Sequence, residues 1–148
     1  MHIVTDHKLN GLNERLTVTA LDQPGSGGAN HQYSVELFQN DEPADRWPNG
    51  IRVPTVALHI KFQNGPIQSV EGMNGVTNEA LLAVLIDRMR GFQGLNPLTE
   101  GGLPARAPAP FACRENALAL TYMEEALMWL QKRTRARLAR GVEGTLKP

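Results

Sequence analysis

The feature that most constrains the fold is an unbroken helical pattern near the end of the chain. It runs from Cys113 or Arg114 to about Arg140 and stops before Gly141. A helix of that length spans ~40 Å at a rise of ~1.5 Å per residue. Leu120, Met123, Leu127, Leu130 and Thr134 recur at three- and four-residue spacing and mark its apolar seam. A shorter helical pattern precedes it. There Thr77 is a suitable N-cap and Glu79 suits the first turn, and Leu81, Leu82, Leu85, Ile86, Met89 and Phe92 give a broad apolar face. Gly91 and Gly94 weaken its end. The long helix pairs either with the shorter one in a hairpin or with a copy of itself. It is longer than its partner can cover, and its uncovered turns keep apolar positions, so self-association is the simpler reading.

The first half of the chain reads as strands. Leu16–Leu21, Tyr33–Phe38 and Val56–Phe62 are rich in β-branched and aromatic residues and alternate in polarity, and a short run, Ile67–Glu71, follows. Turn-formers separate them: residues 23–28, 41–43, 48–50 and 64–66. Asn64-Gly65, between two strand-like runs, is a hairpin signal. The expected fold is α+β: an N-terminal antiparallel β-meander over residues 1–72, then a helical hairpin with one long helix over 73–148. The two parts form one compact domain, and the hairpin carries ligand binding and oligomerisation. Residues 94–110, dense in Gly and Pro, are expected to form a mobile loop.

Charge narrows the partners. Fifteen basic residues balance fifteen acidic ones, which argues against a general electrostatic grip on DNA or on an anionic membrane. The positive charge is local: from Lys132 onward there are six Lys/Arg and a single acid, Glu143. Trp129, Arg133 and Arg137 follow at intervals of four and share one helix flank, whereas Leu127, Leu130 and Leu138 point elsewhere. Arginine can hold a phosphate by two parallel bonds and can stack on a base. The stripe therefore suits something anionic and planar. The plainer alternative is a solvated basic helix end, favoured by the helix dipole.

Other candidate chemistry is thin. The single cysteine, Cys113, excludes an internal disulfide and reads as a structural thiol at a helix start. His2, His7, His31 and His59 lack metal-ligand spacing, and His59 reads as an ordinary strand residue. Residues 24–31 lack the Lys-Ser/Thr ending of a phosphate loop and read as a wide turn that needs glycine dihedrals. Ser26, Ser34 and Ser69 sit in no nucleophile elbow. Glu125 lies beside the aromatic stripe and is expected to orient an arginine, and Glu124 to do the same with Lys132. No catalytic residue, metal site or cofactor is expected. No membrane-spanning run or signal peptide is visible, so the expectation is a soluble protein of a reducing cytoplasm.

From Leu16 on, the chain resembles a phage family. The residues that carry the likeness are Leu16–Asp22, Gly27–Tyr33, Phe62–Ile67, Asn74–Leu82 and Ile86–Arg88, then Phe111–Leu120, Glu125–Leu130 and Arg137 through Gly141–Thr145. The family is the Thoeris anti-defence sponges, whose C-terminal helical hairpin is shared with an anti-CBASS sponge. The resemblance implies binding without catalysis. Such proteins sequester cyclic ADP-ribose isomers made by bacterial immune enzymes in the cytoplasm of the infected host, so that the effector stays off. Some also hold cyclic di- or trinucleotides at separate sites, and they assemble as dimers or hexamers. The family's ligand-binding positions fall on Phe92, Asn116, Arg133 and Arg137.

Spacing adds one constraint. Asn116 and Arg133 are 17 residues apart, or ~25 Å along one helix. No small cyclic nucleotide spans that distance. If both touch one ligand they come from different chains, with antiparallel helices crossing near Glu124 and Glu125. Two symmetry-related pockets, each completed across a dimer interface, are the expectation. Three rivals stand beside it. One is nucleic-acid binding by the C-terminal basic helix, which predicts steep salt dependence. Another is a phosphodiesterase, which needs a metal or general base that the sequence does not offer. The third is a purely structural oligomer.

Overall fold

A computed structural model describes residues 1–38, 49, 53–95 and 111–145. The chain divides into two compact units, Met1–Val76 and Thr77–Pro148. The first is a four-stranded antiparallel sheet of β1 (His2–Val4), β2 (Leu16–Ala20), β3 (Gln32–Leu37) and β4 (Val56–Lys61), in that spatial order. Every neighbour in space is the neighbour in sequence, which is the expected meander. A short helix, α1 (Gly11–Arg15), joins β1 to β2 and is capped by Asn10, whose Oδ1 accepts from Asn13 N at 2.9 Å.

The register explains the alternation seen in the sequence. Leu16 faces Leu37 and Val56 across the ladder, Val18 faces Val35 and Leu58, and Ala20 faces Tyr33 and Ile60. One side of the sheet is therefore a continuous apolar face. Its core sits at the Ala20 end, where Ala20 is 0% exposed and Tyr33 meets Phe62 edge to face at 5.7 Å. At the other end Val56 and Leu58 stay more than half exposed.

Three expectations change here. The sheet gains β1, which the sequence reading did not include. Ile67–Glu71 is not a strand: Ser69 N and Oγ both bond Pro66 O, and Gly72 N bonds Ser69 O, so the segment is a pair of turns. Nor does Asn64-Gly65 close a two-residue hairpin. Local amide pairing wins instead. Asn64 N donates to Asn74 Oδ1 at 2.9 Å, Asn74 Nδ2 returns a bond to Asn64 O at 2.8 Å, and Asn74 N donates to Gln63 Oε1 at 2.9 Å. This clasp sets Phe62 beside Val76 in an isolated parallel bridge. Gly75 permits the approach, because a Cβ there would lie 2.3 Å from the Phe62 carbonyl carbon.

The turn after β2 keeps its predicted character. Gly27 and Gly28 have φ of 74° and 78°, a region that favours glycine. Beside it, Asp22 accepts from His31 N at 2.9 Å and from Asn30 Nδ2 at 3.2 Å. Desolvation alone would raise its pKa. Hydrogen bonds from the His31 and Gln32 amides and the Asn30 side chain outweigh that and hold the carboxyl below its usual range.

The second unit is the helical hairpin, α2 (Asn78–Phe92) and α3 (Arg114–Ala139). Thr77 caps α2 as expected, its hydroxyl accepting from Ala80 N at 3.1 Å. Cys113 caps α3, its Sγ accepting from Asn116 N at 3.4 Å, so this thiol has a structural task. The expected seam of α3 is the inward face: Leu120 is buried, and Met123, Leu127, Leu130 and Thr134 are half-buried. On α2, Ile86 is 2% exposed, whereas Leu85 is 51% exposed. A single neighbouring helix covers a strip narrower than the whole apolar arc, and Leu85 lies at its rim. The loop expected over 94–110 falls, from residue 96 onward, outside the described residues. Among those described, no helix is long and apolar enough to cross a membrane.

Candidate functional site

The antiparallel run of α2 against α3 sorts the four candidate residues into two groups at opposite ends of the hairpin. At one end are the last residue of α2 and the first turn of α3. Phe92 is half-buried there, meeting Phe111 edge to face at 6.3 Å, with the Arg88 guanidinium over its ring at 4.8 Å. Asn116 joins them by donating from Nδ2 to Phe111 O at 3.1 Å. Gln93 Nε2 donates to Cys113 O at 3.2 Å and ties the two helix ends together. The result is a platform of two aromatic rings, a guanidinium plane and an amide. Such a set can stack on a purine and read a polar edge.

At the other end lie the start of α2 and the last turns of α3. An open cleft of about 460 Å³ is lined by Thr77, Glu79, Gln131, Arg133, Thr134, Arg135 and Glu143. Arg133 is exposed, and among the described residues it forms no hydrogen bond or ion pair. Arg137, one turn on, is in a different state. Its side chain is 13% exposed. Nε donates to Glu143 Oε2 at 2.8 Å, and Nη2 donates to Val142 O at 3.0 Å and Thr145 O at 2.9 Å. Arg137 thus fastens the turn after α3 back onto the helix.

The predicted stripe is therefore not one continuous surface. A step of four residues turns ~40° past a full turn, so three such residues drift around the helix. Trp129 is exposed and is covered on one face by Lys132 Nζ at 4.4 Å, Arg133 faces the cleft, and Arg137 turns under the tail. The expected pairing of Glu124 with Lys132 is also replaced. Glu124 Oε1 accepts from Arg90 Nη2 at 2.6 Å and Nε at 3.1 Å, an ion pair between the two helices. Geometry decides this: eight residues along one helix is ~12 Å, beyond a direct contact, whereas Arg90 is carried alongside by α2.

Sequence reasoning missed the roles of Arg88, Phe111 and Glu143. Arg88 was findable, since it stands four residues before Phe92 on one helix face. Phe111 and Glu143 act through chain reversals that periodicity does not encode. Among the described residues, no group of three or more His, Cys, Asp or Glu could hold a metal ion.

Fold and cleft together define a class: a helical-hairpin module with an aromatic-amide platform at one end and arginines at the other. The chain matches the family described as Acb2/Tad1, hairpin domain, over residues 54–135. It belongs to that family, the match covering more than half of its length. It is also 48% identical over 86 residues to Thoeris anti-defense 1 of Bacillus phage SBSphiJ7, an alignment that covers 58% of this chain. The chain spans about half the length of that curated relative, 50%. The family match includes Phe92, Asn116 and Arg133 and ends before Arg137 and Glu143.

Proposed function

We propose that this chain is a phage anti-defence sponge. In this reading it binds cyclic ADP-ribose isomers, and by extension cyclic di- or trinucleotides, without cleaving them. The immune effector is thereby deprived of its signal. Membership of the Acb2/Tad1 hairpin family and the name of the Bacillus phage relative support anti-defence. The observation that carries the ligand assignment is the split of the candidate residues. Phe92 and Asn116 offer what a base needs, while Arg133 and Arg137 offer what a diphosphate needs. The two sets lie at opposite ends of one hairpin.

One ligand can use both ends only if a second chain supplies one of them. An antiparallel pair of α3 helices does this, placing Phe92 and Asn116 of one protomer beside Arg133 and Arg137 of its partner. The exposed side chains of Leu118, Tyr122 and Trp129 fall on one stripe of α3 and would be covered in such a dimer. Two identical pockets follow from the two-fold axis. Each charge-assisted phosphate contact is worth ~1.5–3 kcal/mol, and a stacked base ~1–3 kcal/mol. A nanomolar Kd requires ~12 kcal/mol, within reach of a closed, preformed pocket that adds shape contacts.

The reading makes the host cytoplasm the place of action and catalysis unnecessary. The test is to titrate the full chain with cyclic ADP-ribose by calorimetry and then heat the complex. Tight binding with release of intact ligand is expected. Recovery of cleaved products would instead identify an enzyme, and binding of duplex DNA with a steep salt dependence would favour the basic-helix alternative.

A further inference from the structure

The hydrogen bonds of Arg137 raise a conflict with its proposed task. The guanidinium edge best suited to a phosphate, Nε with Nη2, is already used by Glu143 Oε2 and by the carbonyls of Val142 and Thr145. The tail also leaves the Arg137 side chain only 13% exposed. Glu143 at the same time lines the cleft into which Arg133 opens. A carboxylate thus stands where the cleft meets Arg137.

From this we infer that Glu143 is an intramolecular stand-in for the ligand's phosphate. Residues 141–145 form a latch that an anionic ligand must displace from Arg137. The inference rests on the reading of Arg133 and Arg137 as the phosphate-holding pair. Besides its bonds to Arg137, the latch is held by hydrogen bonds of a turn. Its own bonds include Gly141 N to Leu138 O at 2.9 Å, Val142 N to Arg137 O at 3.1 Å, Thr145 N to Val142 O at 3.2 Å and Thr145 Oγ1 to Val142 O at 2.7 Å. Release therefore costs an ion pair, the turn hydrogen bonds and the partial burial of Val142.

The consequence is selectivity by charge. With the latch closed, Glu143 neutralises Arg137 and leaves Arg133 and Arg135 as the cations lining the cleft. A ligand carrying one phosphate gains little by opening the latch, because it exchanges one anion for another at Arg137. A diphosphate gains Arg133 and Arg137 together, one helical turn apart. Glu143 thus sets a threshold that favours closely spaced phosphates over single ones.

The test uses the full chain, its Glu143→Gln variant, and two probes, inorganic pyrophosphate and cyclic ADP-ribose. The substituted amide would keep the shape and an acceptor but remove the competing charge. NMR titration should give a Kd for pyrophosphate about fivefold lower in Glu143→Gln, the scale of a partly exposed ion pair. The gain for cyclic ADP-ribose should be similar. In the wild-type protein, hydrogen exchange at the Val142 and Thr145 amides should accelerate when either probe binds. Equal or weaker pyrophosphate binding by Glu143→Gln overturns the latch, and so does unchanged protection of those amides in the wild-type complex. If wild type ignores cyclic ADP-ribose while Glu143→Gln gains pyrophosphate, the sponge reading fails and the latch stands.

Discussion

Replacing Gly75 by Ala should damage the first unit more than its exposed position suggests. A Cβ built there lies 2.3 Å from the Phe62 carbonyl carbon, 2.4 Å from its oxygen and 2.6 Å from Gln63 N. All three are backbone atoms, so no side chain can swing aside. The clash falls on the parallel bridge, whose bonds are Gln63 N to Val76 O at 2.9 Å and Val76 N to Lys61 O at 2.8 Å. Overpacking costs ~1–3 kcal/mol, and each weakened bond ~1 kcal/mol. A loss of about 2–4 kcal/mol follows, which in a unit of this size lowers Tm by roughly 10 °C or more. Gly11 is the control, because nothing lies within 4 Å of a Cβ there and it opens α1. Gly11→Ala should be neutral or slightly stabilising. Thermal and urea unfolding followed by circular dichroism compares the two. If Gly75→Ala melts within about 2 °C of wild type, the bridge is not the constraint described.

Two further outcomes are expected. Arg133→Ala should weaken cyclic ADP-ribose binding about thirtyfold, the loss of one charge-assisted contact, with Tm unchanged because the side chain is exposed and bonds to none of the described residues; calorimetry and a melt check both. Asp22 contributes stability that is full above the unfolded pKa of ~3.9 and is lost as pH falls through its depressed folded value. The urea-midpoint difference between wild type and Asp22→Asn should therefore be full at pH 7 and shrink toward pH 2, and a constant difference would contradict the assignment.

The helices were legible because burial writes itself at a fixed period. The inward positions Leu120, Met123, Leu127, Leu130 and Thr134 stand three or four apart, and the Thr77 cap is a local choice of residue type. The three main strands were legible by alternation. What escaped was set by contacts without a period. Three residues, His2–Val4, are too few to alternate visibly. Asn64, Asn74 and Gln63 pair through side-chain amides that override a hairpin dipeptide. The separation of Asn116 from Arg133 followed from helix length. The commitment of Arg137 to Glu143 did not, because it depends on how the chain turns after Gly141.

The central claim is that each ligand pocket draws its base-reading half from one chain and its phosphate-holding half from another. It is tested by making Asn116→Ala and Arg133→Ala chains with different tags and isolating the mixed dimer. In that dimer one pocket carries both substitutions and the other carries neither. The account predicts weakened binding in each variant homodimer, and one ligand bound at wild-type strength per mixed dimer. Mixed dimers as weak as their parents would show that both residues serve a pocket within a single chain, or none at all.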